Sequence, residues 1–217
     1  GNNQERQGAQ GYKIKPENSD VVLIKAWAFI PDTTPQQIFN CIYDTKIRGK
    51  WDTVLHNPHV VEKIDEFVDV FYFCVKVLIY ILFNTSYFPL FRLHLQYQIE
   101  ICTEAMLQMD YPEKGDIIIS FQSMTHPKAP PIKGNVRGDT HIAGYIIKPS
   151  KMGNGKGSEL HLITQVDVKV WTSFIYRETH SLLLLGAIPK VVVNFVAGRA
   201  PAEWLTKLKK ACHTFNK

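Results

Sequence analysis

Polar and apolar residues alternate with period two along most of the chain and with a period near 3.6 at its end. Val21–Ile24 running into Ala26–Ile30, His56–Ile64, Val68–Val77, Phe91–Ile99, Ile101–Met109, Ile117–Met124, Gly144–Ile147 and Leu160–Val168 read as strands. Pro31-Asp32, Asp65-Glu66 and Tyr111–Asp116 mark turns between them. Asn84–Pro89 reads as a loop. Thr125–Gly134 holds Pro127, Pro130, Pro131 and Gly134, so it is neither a central strand nor a helix interior. Gly153–Gly157 has the glycines of a flexible hairpin connection and lacks the strand-turn-helix setting of a phosphate loop.

Helices are predicted in two places. Thr34-Pro35-Gln36-Gln37 carries a cap, a proline suited to the first turn and a glutamine placed to reach back to the cap. Ile38, Ile42 and Phe39 supply its buried face. From Ile188 to Lys217, Ile188, Val191, Val192 and Phe195 form one stripe, and Trp204, Leu208, Ala211, Cys212 and Phe215 resume it in a new phase. The expectation is a long amphipathic helix kinked or restarted near Pro201, with Lys207, Lys209, Lys210 and Lys217 suited to its C-terminus. A twisted sheet closing around this helix is the simplest arrangement of both patterns.

Length and composition narrow the class. A chain of 217 residues with 45% hydrophobic and 21% charged residues fits one globular domain. Residues 1–11 are polar and patternless and are expected to be a flexible lead-in, with one domain over 12–217. A net charge of +5 suits an anionic membrane surface or an ordinary solvated surface. The longest apolar run, Val68–Phe83, contains Asp69 and Lys76 and is too short to span a bilayer. Cys41, Cys74, Cys102 and Cys212 lack metal-site or redox spacing and read as buried thiols, although an even count also permits disulfides. Asn84-Thr85-Ser86 fits the glycosylation triplet. The chain begins without Met, so the compartment stays open between cytoplasmic and secreted.

Chemistry is thinly represented. The eight histidines are scattered, and His56 with His59 has no third ligand nearby. There is no Gly-x-Ser-x-Gly elbow and no His-Glu-x-x-His. Strict alternation over Phe91–Tyr97 suits a sheet face rather than a base-stacking platform, so no nucleic-acid partner is expected. No catalytic residue, metal or cofactor is assigned.

Four ordered stretches carry a family resemblance. Arg48-Gly49-Lys50-Trp51-Asp52 resembles the Arg-x-x-Trp-Asp signature of START domains, the steroidogenic-acute-regulatory-protein-related lipid transfer modules. Ser123–Pro127, Pro130-Pro131 and Val136-Arg137-Gly138 resemble that family's passage from a strand through a proline-rich loop to a Val-Arg strand. Gly144–Pro149 is similar to the next strand. Asp167–Trp171, then Ile188–Asn194, resembles the start of its C-terminal helix. Together they span roughly Gly11 to Phe215. The resemblance implies an α+β helix-grip fold: a curved antiparallel sheet wrapped around a long C-terminal helix, with an internal lipid tunnel. It also makes Trp51, Asp52 and Arg137 structural. The chain departs from the family in that the first helix is expected to be absent or truncated, because the opening strand comes almost at once, and in lacking an Arg-Asp pair near Cys102-Thr103-Glu104. Sixteen residues, Thr172–Ala187, stand where the family has almost none, and Leu78–Glu100 is longer than usual.

The function so implied is non-enzymatic, monomeric lipid transfer between membranes, with phospholipid ahead of sterol and ceramide as ligand. A lipid-sensing or tethering module is the alternative, and a hydrolase or cyclase on a similar fold the third. Glu104, Gln108, Tyr145, Gln165, Val192 and Phe195 are the lipid-binding candidates, because a few polar groups in an apolar cavity suffice for selectivity. Pro130, Pro131 and Ile132, with Phe174, Ile175, Leu183 and Leu184, are the candidates for a membrane gate. The four leucines Leu182–Leu185 are open to either reading, gate or core.

Overall fold

The computed structural model describes residues 9–85, 88–152, 155–169 and 190–215, with the backbone alone at 9 and within 76–85, 88–97 and 190–201. Strands β1 (Ala9–Ile14) and β2 (Leu23–Pro31) lead into helices α1 (Pro35–Tyr43) and α2 (Thr45–Trp51). Then come β3 (Leu55–Lys63), β4 (Val68–Thr85), β5 (Phe88–Met109), β6 (Ile117–Ser123), β7 (Val136–Arg137), β8 (Asp139–Pro149) and β9 (Gly157–Asp167). Helix α3 (Lys190–Phe215) closes the described chain.

The nine strands of the described residues form one sheet, eight of them in the order β1-β2-β9-β8-β6-β5-β4-β3 with β7 beside β5. Its neighbours are antiparallel, except that β7 runs parallel to β5. The sheet is curved, with the C-terminal helix against it. One face carries the core: Ala26, Ala28 and Ile30 of β2, Ile117 and Ile119 of β6, Ile147 of β8 and Leu160 of β9. Against them pack Ile38, Phe39, Cys41 and Ile42 of α1, Trp51 of α2, and Leu205, Leu208, Ala211 and Cys212 of α3. This is the inner face.

Local chemistry accounts for the elements. Thr34 caps α1 as the sequence implied: its side chain accepts from the Gln37 N–H, and Gln37 Oε1 accepts from the Thr34 N–H at 2.9 Å. Asp44 ends α1 and starts α2, accepting from the Lys46 and Ile47 N–H groups. Gly144 is required by close approach, because a Cβ there would stand 2.7 Å from the Ile119 carbonyl oxygen. The four cysteines are buried and join no disulfide.

Three details differ from expectation. Strand β1 takes in Ala9–Gly11, which had been assigned to the lead-in, because their backbone pairs with Ala26–Ala28. Within 84–89, expected to be a loop, Thr85 and Phe88 still pair as strand residues, after a register shift beyond Phe83↔Phe91. Helix α3 runs without a restart through Pro201. A proline inside a helix removes one N–H donor, and the flanking turns carry the helix across it.

Candidate functional site

The Arg48–Asp52 motif is a clamp among the three helices. Trp51 Nε1 donates to the Cys41 carbonyl at 2.9 Å, joining α2 to α1. Asp52 is 3% exposed, and its Oδ2 accepts from Arg48 Nε at 3.2 Å and Trp204 Nε1 at 3.0 Å, joining α2 to α3. The Arg48 guanidinium also lies over the Trp204 ring, 5.9 Å from its centroid. Burial opposes the Arg48 charge, but Tyr145 and Asp52 outweigh it and raise its pKa. The motif holds helices together, as the resemblance implied.

A chain of seven rings crosses the inner face. Phe39 stacks on Tyr43, which meets Phe71 edge-on; Phe71 meets Phe121, Phe121 meets Tyr145, Tyr145 stacks on Trp204, and Trp204 packs on Trp51. Centroid separations run from 4.9 to 6.4 Å, the range of favourable ring pairs. At one end, the Tyr43 hydroxyl donates to the buried Asp69 carboxylate at 2.8 Å. Burial first, then Asp69, pushes the Tyr43 pKa above the usual tyrosine range. Tyr145 thus faces inward as a lipid-contact candidate would, but its half-buried ring belongs to this ladder.

Further along the same face lies a second apolar cluster. Ile99 and Ile101 are buried there, with Phe73, Val75, Val166 and Val168 half-buried around them. Between this cluster and the ladder sits Thr103, paired in register with Phe71 and Ser123. Thr103 is 2% exposed and its Oγ1 has no hydrogen-bond partner among the described residues. On this face it stands beside Phe71, Phe73, Ile101, Ala105, Phe121 and Ser123, with the buried Asp69 carboxylate one diagonal step away on β4. An unsatisfied hydroxyl in apolar surroundings is costly, so this position has unused capacity to bond an oxygen.

Three candidates lie on the outer face instead. Glu104 pairs with Val70 and Gln122, Gln108 with Ile118, and Gln165 with Ile142. Gln108 is exposed, and the Gln165 amide donates to the Val21 carbonyl at 3.0 Å and to Ser19 Oγ at 3.3 Å. Period two correctly groups residues by face, but it does not say which face turns inward. Val192 and Phe195 fall where only backbone is described, and Phe174, Ile175, Leu183 and Leu184 lie outside the described residues.

The proline-rich loop also packs on the outer face. Ala129 is buried against Val70, Tyr72, Cys74 and Cys102. Beneath the loop Glu100, with no exposed surface, accepts through Oε1 from the Ile132 N–H at 3.0 Å and Asn135 Nδ2 at 2.9 Å. Its Oε2 stands 3.2 Å from Arg137 Nη2, an ion pair without hydrogen-bond alignment. Arg137 Nη2 donates to the Ala129 carbonyl at 2.9 Å. Lys128 and His126 reach Glu62 at 2.6 and 3.3 Å. Pro130, Pro131 and Ile132 are exposed, Ile132 by 53%, at the tip of this buttressed loop. Glu100 was the residue missed. Its signal was a lone carboxylate between Ile99 and Ile101, with a Val-Arg strand downstream to pair it.

A START domain sequence profile matches residues 102–211, just over half of the chain. The chain belongs to the START domain family. A homeobox-leucine zipper protein of Arabidopsis thaliana, ATHB-14, is 26% identical over 125 residues, 48% of this chain. That match spans 14% of the Arabidopsis protein's length. Among solved structures, human STARD10 superposes with a TM-score of 0.72 at 22% identity, covering 99% of this chain and 73% of that one. Human StAR-related lipid transfer protein 5 gives 0.70 at 17% identity, covering 98% and 86%. The lipid transfer and protein localization domain of human StarD13 gives 0.63 at 17%, covering 94% and 84%. The START fold is therefore the helix grip seen here, and membership places the chain among lipid-binding domains. Among the described residues, no three His, Cys, Asp or Glu side chains gather as a metal site would need.

Proposed function

We propose that this START domain is a non-enzymatic lipid carrier that encloses one lipid in a tunnel between the inner face of the sheet and α3. The observation that supports this reading is the apolar inner-face cluster in which Phe73, Val75, Val166 and Val168 are only partly buried around Ile99 and Ile101, with the Thr103 hydroxyl, unpartnered among the described residues, at its border. Such a surface accepts acyl chains and offers one hydrogen bond to an uncharged oxygen. A phospholipid supplies that oxygen from a glycerol ester and keeps its headgroup toward water; sterol and ceramide supply a hydroxyl. The exposed tip Pro130-Pro131-Ile132 is a stiff wedge suited to rest on a membrane surface, and the carrier works as a monomer.

The test is transfer of fluorescent phosphatidylcholine, sterol and ceramide between two vesicle populations. Phosphatidylcholine should move at a rate proportional to protein and return chemically unaltered. If no labelled class moves, or the lipid returns altered, the carrier reading fails. A sensing module is the second reading. It is favoured because the Arabidopsis relative is a much longer protein in which this region is a small part. It predicts lipid binding without transfer.

A further inference from the structure

Two of the four buried thiols meet each other. Cys41 lies on α1 and Cys212 in the last turn of α3, 171 positions later in the chain. Both belong to the core where α1, α3 and the sheet pack together, and they are 0% and 2% exposed. Their side chains hydrogen-bond to each other across the α1–α3 contact. The Cys41 carbonyl also accepts from Trp51 Nε1, so the pair stands where all three helices converge. The other two thiols have different partners. Cys74 Sγ bonds the Tyr72 hydroxyl at 3.3 Å, and Cys102 accepts from Arg137.

Helix geometry lets the two sulfurs join. Packed helix axes lie about 8–10 Å apart, with Cα atoms about 2.3 Å from each axis. Cα atoms that face each other directly are therefore about 3–5 Å apart, and offset ones further. A disulfide spans about 4.4–6.8 Å between Cα atoms, so facing positions on two packed helices fall within its reach. Thiols already bonded to each other need little further movement.

We propose that Cys41 and Cys212 are a redox-sensitive latch on the C-terminal helix, a dithiol in a reducing compartment and a disulfide joining α1 to α3 in an oxidising one. The oxidant is a small disulfide such as oxidised glutathione, acting while the chain folds and the interface is still open. One protein thiolate attacks the glutathione disulfide, forming a mixed disulfide and releasing one glutathione. The second protein thiolate attacks the sulfur of the first, forming the Cys41–Cys212 bond and releasing the other glutathione. The two protein thiols lose two electrons, glutathione disulfide gains them, and the two thiol protons leave on the glutathiones. Once the interface has closed, the hydrogen bond from Cys41 and then burial push the Cys212 pKa above the usual cysteine range. Thiols are poor nucleophiles, so the pair keeps the state in which it folded. A bond closing so long a loop narrows the unfolded ensemble and pins the end of α3.

The experiment refolds the reduced full chain from urea in glutathione buffers that run from reduced to oxidised, blocks the remaining thiols and maps the cysteine peptides by mass. Oxidised buffers should give a chain lighter by two hydrogens, with the Cys41 and Cys212 peptides joined and Cys74 and Cys102 blocked. Relative to the reduced form, its urea midpoint should rise by about 1.5 M, and dithiothreitol should reverse the shift. Amides of 202–215 should exchange more slowly in the oxidised form. Cys212→Ala should abolish these changes, and Cys74→Ala should keep them. Cys41 and Cys212 still blocked as thiols after folding in the most oxidised buffer overturns the proposal. So does a disulfide from either of them to Cys74 or Cys102, or a Cys41–Cys212 bond that leaves the midpoint and the exchange unchanged. None of these readouts requires a bound lipid, so the latch and the carrier reading stand or fall separately.

Discussion

Replacing Asp52 by alanine should destabilise the domain by about 4 kcal/mol, the range for breaking a buried ion pair. The carboxylate is 3% exposed and serves two donors on two helices, Arg48 Nε and Trp204 Nε1. Its loss strands the Arg48 guanidinium, whose side chain is only 16% exposed, and leaves an indole N–H beside it without its acceptor. For a chain of this size the urea slope is about 2.5 kcal/mol per molar, so the midpoint should fall by about 1.5 M with the slope unchanged. Arg48→Met removes the charge that Asp52→Ala would strand. In a double-mutant cycle the pair should therefore show a coupling of about 2 kcal/mol, the double variant being more stable than the sum of singles predicts. Trp204→Phe should cost about 1 kcal/mol for the hydrogen bond alone. A midpoint shift below about 0.3 M for Asp52→Ala, or an additive cycle, would refute the clamp.

Other predictions concern the inner face and the buttressed loop. Thr103→Val should leave stability unchanged or raise it by about 1 kcal/mol, because it removes an unsatisfied hydroxyl, while weakening lipid retention; destabilisation would show that the hydroxyl has a protein partner. Glu100→Gln should speed exchange of the Ile132 amide, since the Arg137 charge is then left without its counter-charge; an unchanged rate would show that packing of Ala129 alone holds the loop. The Lys128 hydrogen bond, then its charge, hold the Glu62 carboxyl below its usual range. The tie is therefore present above the unfolded carboxylate value near 4.3, and it weakens as pH falls through the lower folded value. Protection of the 125–135 amides, corrected for intrinsic rate, should fall as pH drops below about 4. The four thiols should resist a thiol reagent until denaturant is added, because all four are buried.

Much of the fold was legible because strands and helices leave different periods. The Thr34 capping box, the turn before Ile117 and the amphipathic end of α3 needed only local chemistry. The site was less legible. Alternation grouped Glu104 with Gln108 and Met106, but the inward face is chosen by helices far away in sequence, so those residues turned outward. Tyr145 does face inward, yet only the tertiary structure shows that Trp204, fifty-nine positions later, stacks on its ring. The Glu100–Arg137 pair joins positions 37 apart, and its role in holding Ile132 depends on a loop path that no periodicity records. Asn84–Pro89 looked like a loop because asparagine and proline mark turns, and the pairing simply continues to their edge.

The most direct test of the carrier account is native mass spectrometry of the purified domain after incubation with mixed phospholipid, sterol and ceramide vesicles. The account predicts a population one lipid heavier than the polypeptide, of one-to-one stoichiometry and released on unfolding. A bare polypeptide mass at every vesicle concentration would contradict it.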